Sequence, residues 1–168
     1  MSKYDRKLSE PILHFAPEKV LEKKLRGMYK EYKTADLFSS ADLKLNIEKV
    51  DLPDKSIGTV IRNHVLEHIN DAAAMMEIKR VLKDNGVFVV SVPIIEGWDH
   101  SYENEAIKDP ALRELHFGQS DQVRFYGKDF RDRLGSGGFL FDEITAGAEE
   151  AMRYGLVRGE KVFVCQKR

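Results

Sequence analysis

The sequence predicts one α/β domain built on a mostly parallel sheet with helices on both faces, and three observations carry that prediction. Segments of strand character alternate with segments of helical period along most of the chain. The block from Asp51 to Pro93 reads as strand, polar run, helix, glycine turn and strand, which is one βαβ unit. No internal repeat, low-complexity tract or long linker divides the 168 residues, a length that buries a substantial core as one domain over 1–168.

Taken in order, Pro11 to Phe15 reads as a short strand and Val20 to Met28 as a helix. Tyr29 to Asp36 leads into a second strand, and Leu43 to Ile47 is a short third one. The βαβ unit supplies the fourth and fifth strands: Gly58 to Arg62 before the polar run, and the apolar run closing at Pro93 after Asp84-Asn85-Gly86. Between them, Asp71 to Leu82 is a helix whose apolar side carries Ala74, Ile78, Val81 and Leu82. Lys128 to Leu134 reads as a helix stopped by Gly135, Gly137 and Gly138, and Phe139 to Ile144 with Lys161 to Gln166 as a closing pair of strands. Helices cover both faces of such a sheet, so its ligand crevice opens at the carboxyl ends of the strands, where Asn63 and His64 fall.

The chemistry-bearing residues cluster in the same block. Leu52-Pro53-Asp54-Lys55-Ser56, Val60-Ile61, His64-Val65-Leu66-Glu67-His68, Arg80-Val81-Leu82-Lys83, Gly86 and Ser91-Val92-Pro93 follow one another at characteristic gaps. This succession resembles the core of the class I, S-adenosylmethionine-dependent methyltransferases, in the branch whose fourth strand ends in HVLEH. The resemblance implies a Rossmann-like fold, a mostly parallel seven-stranded sheet with an antiparallel last strand, and S-adenosylmethionine as cofactor. It implies in-line methyl transfer governed mainly by positioning of the two reactants. Relatives often carry an extra helix at the front and sometimes a cysteine-rich segment, so the N-terminal lid over the substrate is expected to be incomplete here.

The same resemblance assigns cofactor contacts. Ile12-Leu13-His14-Phe15-Ala16-Pro17-Glu18 stands where an acidic residue and a glycine-rich turn are usual, with His14 in place of the acid, Ala16 in place of the first glycine and Glu18 in place of the later one. Glycines there let the backbone approach the ligand and free the helix N–H groups. Alternatively, the stretch is a plain strand-to-helix turn in a protein that has lost the cofactor. Asp36 is placed to accept both ribose hydroxyls, or else to cap a helix from an exposed turn. Asn46 replaces an aspartate used against the adenine amino group, a bond an amide oxygen can still accept. Asn63 and His64 complete the set near the ring.

His64-Val65-Leu66-Glu67-His68 also satisfies H-x-x-E-H, a zinc-peptidase signature that needs both histidines on one helical face and a further ligand. His64 follows the strand directly, which disfavours that zinc hydrolase; no metal is expected. The substrate side is expected from Trp98 onward and from the run Leu115 to Gly127, which resembles an "HFGQ-x-DHVR-x-YG" stretch of the same branch, with Gln122 where a histidine is common. Trp98, Gln119, Asp121, Arg124 and Tyr126 suit a small polar or sugar-like acceptor. His116 and His100 are the first candidates for a general base where the acceptor is protonated. The alternative for this run is a self-bonded loop in which Asp121 pairs with Arg124.

Composition narrows the remaining classes. A formal net charge of −1 gives no footprint for nucleic acid or an anionic membrane, and the single Cys165 leaves no internal disulfide framework. No apolar run approaches a membrane span, and the start lacks a signal-peptide core, so the cytoplasm is the expected compartment. Oligomeric state is left open. From a different class, the alternative to an enzyme is a catalytically silent module of the same fold that acts through protein contacts.

Overall fold

A computed structural model describes residues 8–154 and 157–168. The apolar runs do become strands: β1 (Ile12–Phe15), β2 (Tyr32–Ala35), β3 (Ile57–Asn63) and β4 (Leu82–Ser91). After β1 comes helix α1 (Lys19–Met28), and between β3 and β4 comes α2 (Asp71–Val81), preceded by a 3-10 turn, Leu66–His68. β1 pairs in parallel with β2 and with β3, and β3 pairs in parallel with β4.

The second half of the chain adds β5 (Tyr102–Glu103), α3 (Pro110–Phe117), β6 (Arg124–Phe125), α4 (Phe130–Ser136), β7 (Phe139–Thr145), α5 (Ala148–Tyr154) and β8 (Lys161–Lys167). β8 runs antiparallel to both β4 and β7, closing a six-stranded sheet of order β2-β1-β3-β4-β8-β7. β5 and β6 form a separate two-stranded ribbon. Among the described residues no helix is long and apolar enough to cross a membrane.

Alternation along the strands sends side chains to two layers. Leu13, Phe15, Val60, Phe88 and Val90 meet Ala74, Met75 and Ile78 of α2 and Phe130 and Leu134 of α4 on one face. Ile12, Tyr32 and Ile61 meet Leu25 of α1 on the other. Burial on both faces is why β1 and β3 read as continuous apolar runs.

Several features differ from the sequence expectation, the unforeseen β5–β6 ribbon and α5 among them. The third strand over Leu43–Ile47 does not form, and the sheet has six strands among the described residues instead of seven. Leu43 makes one bridge to Ala35, and Asn46 one to Lys49. The polar side chains flanking that segment take the backbone donors a strand would need: Asp42 Oδ2 accepts the Thr34 N–H at 2.8 Å, and Asn46 Oδ1 accepts the Glu48 N–H at 2.9 Å. The Thr34 carbonyl accepts the Leu43 N–H, and the Leu43 carbonyl accepts that of Asp36, so the outer side of β2 at Thr34 and just beyond is covered without a strand.

The other differences are local. The turn at Asp84-Asn85-Gly86 is a bulge inside β4, where Leu82 pairs with Ile57 and Val87 with Thr59. α3 was not foreseen, although Asp109 caps it through the Ala111 and Leu112 N–H groups, Pro110 opens it, and Gly118 at φ +82° ends it. α4 begins at Phe130, two residues later than expected.

The loop before β3 is fastened to α2 by one side chain. Arg80 donates to the carbonyls of Val50 (2.6 Å) and Leu52 (2.9 Å), to Asp54 (2.7 Å) and to Glu77 (2.8 Å). Glu77 in turn accepts the Val50 N–H at 2.7 Å.

Two glycines separate close approach from wasted freedom. A Cβ at Gly58 would stand 2.5 Å from the Ser9 carbonyl oxygen and 2.6 Å from that of Glu10, whereas one at Gly27 in α1 meets nothing within 4 Å. Gly58→Ala should therefore lower stability by at least ~2 kcal/mol through overpacking. Gly27→Ala should raise it by roughly 0.5–1 kcal/mol through helix propensity. Urea unfolding of the two variants checks both, with midpoints moving in opposite directions.

Candidate functional site

The carboxyl ends of β1, β2 and β3 lie side by side, and the polar residues there form one connected chain. His14 is fully buried on β1. Its Nδ1 stands 2.7 Å from the Tyr32 hydroxyl, and its Nε2 lies 3.2 Å from Glu18 Oε2 without hydrogen-bond alignment. Glu18 Oε1 accepts from the Asn63 amide at 3.0 Å, and Asn63 Oδ1 accepts from the Ser91 hydroxyl at 3.1 Å. The chain thus crosses from β1 through the start of α1 to the ends of β3 and β4. Partial burial works against the Glu18 carboxylate, but His14, its own backbone and Asn63 outweigh it and hold its pKa at about 2.

Backbone conformation marks the same edge. Ala16, in the turn between β1 and α1, has φ +42°, and His64, immediately after β3, has φ +50°. Both are left-handed positions that cost a residue with a Cβ roughly 1–2 kcal/mol. Each is held by a neighbour: the Ala16 N–H donates to the Ala35 carbonyl at 2.9 Å and the His64 N–H to the Ser91 carbonyl at 2.9 Å. Ala16 therefore adopts the backbone of the glycine it was expected to replace. Strain of this kind concentrates at ligand edges.

Asp36 extends the edge beyond β2. Its Oδ1 accepts the Phe38 N–H at 2.7 Å and the Ser39 N–H at 2.6 Å, so it organises a tight turn instead of a helix start. Asn46 does the same one loop later through Glu48. Arg62, the penultimate residue of β3, is 5% exposed; burial pulls its pKa down to about 9 against the opposing charges of Glu67, Asp36 and Glu18.

Beside this crevice lies a cavity of about 500 Å³ between the HVLEH turn and the segment that follows α3; His64, Glu67, His68, Gln119, Gln122 and Phe125 line it. Of the expected substrate residues, Gln119 reaches the cavity. Asp121 sits at its margin with Oδ1 3.3 Å from His68 Nδ1. Trp98 is half-exposed and edge-on to Phe125, with ring centres 6.3 Å apart.

Arg124 and Tyr126 go beneath the site. The Arg124 guanidinium donates to the carbonyls of Leu66 (2.7 Å) and Ile69 (2.6 Å) and to Glu103 (2.8 Å). Tyr126 is fully buried with its hydroxyl on the Leu66 carbonyl (3.1 Å) and Asp71 (2.9 Å). The Asp121–Arg124 pairing considered from sequence is replaced by these bonds. His116 and His100 are exposed and outside the cavity wall; His116 Nδ1 stands 2.8 Å from the Tyr102 hydroxyl. Sequence reasoning did not single out Glu67 or Gln122 as lining residues. The signal for Glu67 was there, an acid between two histidines in a polar run ending a strand.

A larger, open cavity of about 660 Å³ lies on the outer side of Arg124. Its Arg124 and Arg133 are paired with Glu103 and Asp71, and Glu105, Lys108 and Arg113 also line it. The zinc geometry is not met, since His64 lies outside the 3-10 turn that His68 ends. Among the described residues no three His, Cys, Asp or Glu side chains group as metal ligands.

Comparison with known proteins agrees with this geometry. The family model described as "Methyltransferase domain" matches residues 9–90. Among solved structures, an S-adenosylmethionine-dependent methyltransferase from Mesorhizobium loti superposes with a TM-score of 0.61 at 14% identity, over 94% of this chain and 90% of that one. The 1,6-didemethyltoxoflavin-N1-methyltransferase of Burkholderia thailandensis, solved with 1,6-didemethyltoxoflavin and S-adenosylhomocysteine, gives 0.60 at 13% identity over 93% and 70%. The [4+2]-cyclase SpnF gives 0.61 at 13% over 94% and 74%. These likenesses show the fold, Rossmann-like and of the class I methyltransferase type. A search of curated proteins finds no match.

The polar chain has a measurable acid signature. Glu18 titrates near 2 in the folded protein against an ordinary value near 4.5. The stability it contributes is present above 4.5 and lost as pH falls through 2. Glu18→Gln should flatten the decline of the melting temperature between pH 4.5 and 2, read by differential scanning calorimetry across that range.

Proposed function

Because residues 9–90 belong to the methyltransferase-domain family, we propose that the protein binds S-adenosylmethionine along the carboxyl ends of β1, β2 and β3 and methylates a small polar acceptor in the adjoining cavity. The observation that supports this most directly is the glycine-like backbone of Ala16 at the head of α1, one strand from Asp36. The turn leads directly into α1, whose N-terminus would favour an anionic group.

The residues present fit that cofactor. Ala16 with the head of α1, flanked by His14 and Glu18, would hold the methionine end. Asp36 spends Oδ1 on its own turn, and the carboxylate retains acceptor capacity for the ribose hydroxyls. Asn46, whose Oδ1 already takes the Glu48 N–H, has a second lone pair for the adenine amino group. Asn63 and His64 stand at the ring side, each fixed to β4 through Ser91. Bound, S-adenosylmethionine supplies an electrophilic methyl group, and the chain's own part is to orient, to exclude water and to manage any proton.

For the acceptor, the cavity walls of imidazole, amide and aromatic edge favour a small polar molecule, with Gln119 on the wall and Trp98, Asp121, Arg124 and Tyr126 outside it. A net charge of −1 disfavours nucleic acid.

Calorimetry with S-adenosylhomocysteine tests the cofactor half of the proposal. Saturation at a hundred times the dissociation constant should stabilise the fold by about 2.7 kcal/mol. Asp36→Ala should weaken binding by roughly 10- to 100-fold, the scale of a lost hydrogen bond to a charged group, while ethylenediaminetetraacetate should change neither binding nor melting. Absence of any binding at millimolar concentration would overturn the proposal.

A further inference from the structure

We propose that Glu67 is the catalytic proton acceptor of the cavity, taking the proton from a neutral or cationic hydroxyl- or amine-bearing acceptor as it is methylated; this deepens the methyl-transfer reading above and rests on it.

The argument starts from an anomaly of burial. Glu67 is 3% exposed, and its Oε2 is out of contact with water and without a hydrogen-bond partner among the described residues. A buried carboxyl oxygen left unpaired costs free energy that a structural side chain normally avoids by finding a donor. The surrounding turn is otherwise fully tied down: the Glu67 carbonyl accepts the Val123 N–H at 2.9 Å, and its neighbours Leu66 and Ile69 are bonded by Arg124. The backbone is fixed and one carboxyl oxygen, Oε2, is left uncommitted on a residue in the wall of the 500 Å³ cavity.

Its surroundings suit a base. Burial raises its pKa above the ordinary carboxylate range, opposed by its own backbone, His68, His64 and Arg62. His64 Nε2 lies 3.1 Å from Glu160 and His68 Nδ1 3.3 Å from Asp121, so acids from other segments stand beside both imidazoles. Arg62 is buried below, its Nε also unpartnered. From the segment opposite come the uncharged Gln122 and the apolar Phe117 and Phe125. A carboxylate of raised basicity is the stronger proton acceptor that general-base catalysis uses. The two exposed histidines considered from sequence do not line this cavity.

The step balances without a further reactant. A lone pair on the acceptor oxygen or nitrogen forms the new bond to the methyl carbon as the carbon–sulfur bond breaks, its electron pair leaving on a neutral thioether sulfur. The acceptor's proton passes to the Glu67 carboxylate, which becomes a neutral carboxyl and returns the proton to solvent when product leaves. A carboxylate base repels anionic acceptors, which makes amino sugars, polyols and amino alcohols the matching class and sugar acids the excluded one.

The test uses the full chain and Glu67→Gln. Because the folded pKa is raised, the stability that goes with the neutral carboxyl is present below its unfolded value, near 4.3, and is lost as pH rises through the folded one. The glutamine variant, which does not titrate, should melt higher than wild type at pH 8, with the gain shrinking toward pH 4; a structural role predicts a lower melting temperature throughout. Wild type and variant should bind S-adenosylhomocysteine within about twofold of each other, and failure of wild type to bind it counts against the methyl-transfer reading alone. In a radiolabelled methyl-transfer screen of amino sugars, polyols, amino alcohols and sugar acids, the donor-bearing compounds should be methylated and the acids not. For the best acceptor, Glu67→Gln should lower kcat about 100-fold or more with KM nearly unchanged. The proposal is overturned if the variant is destabilised at every pH, if its turnover stays within about tenfold of wild type, if the acids are the acceptors, or if no compound of the panel is methylated.

Discussion

A strand that ends at a ligand edge must pass the chain to a helix through a turn whose carbonyls no helix satisfies, and here one guanidinium takes up that burden. Arg124 donates to the buried Leu66 carbonyl, where an unpaired group costs roughly 1–3 kcal/mol, and to the partly buried Ile69 carbonyl. Because Arg124 belongs to β6, the same bonds fasten the small β5–β6 ribbon beneath the crevice. Glu103 of β5 pairs with Arg124 and with Arg133 of α4, and Asp71 at the head of α2 joins Arg133 to the Tyr126 hydroxyl. The turn that carries Glu67 is therefore braced by a partly buried ionic network drawn from four elements.

That dependence explains how much of the molecule was legible in its sequence. β1, β3, α2 and β8 were readable because burial on both faces, or on one helical stripe, leaves a plain apolar record. Leu43, Leu45 and Ile47 alternate like a strand, yet Asp42 and Asn46 draw the local backbone into turns, a competition that apolar period does not register. Conversely, Asp109, Pro110 and Gly118 spell a complete helix, masked because the surrounding segment is so polar.

The site divides along the same line. The polar residues grouped at the crevice edge were legible because residues at strand ends must face it, whatever their identity. Those of the later connection were less so. Arg124 and Tyr126 are polar residues in a connection, which suggests an exposed, ligand-facing role, but their partners are backbone carbonyls and an aspartate that only the folded topology brings near. The depth of a polar side chain depends on long-range partners, and no local pattern records them.

The stretch that failed to become a strand has its own effect on the molecule's behaviour in company. β2 ends the sheet, and an open strand edge is a template on which another chain can pair and begin an aggregate. Here the Thr34 N–H is taken by Asp42, the Thr34 carbonyl by Leu43, and the Asp36 N–H by the Leu43 carbonyl. Those outward groups are occupied by a short irregular segment that offers no regular ladder of its own. That segment thus occupies the outward groups of Thr34 and Asp36, and the irregularity that cost the sheet a strand shortens the stretch of edge on which another chain could pair.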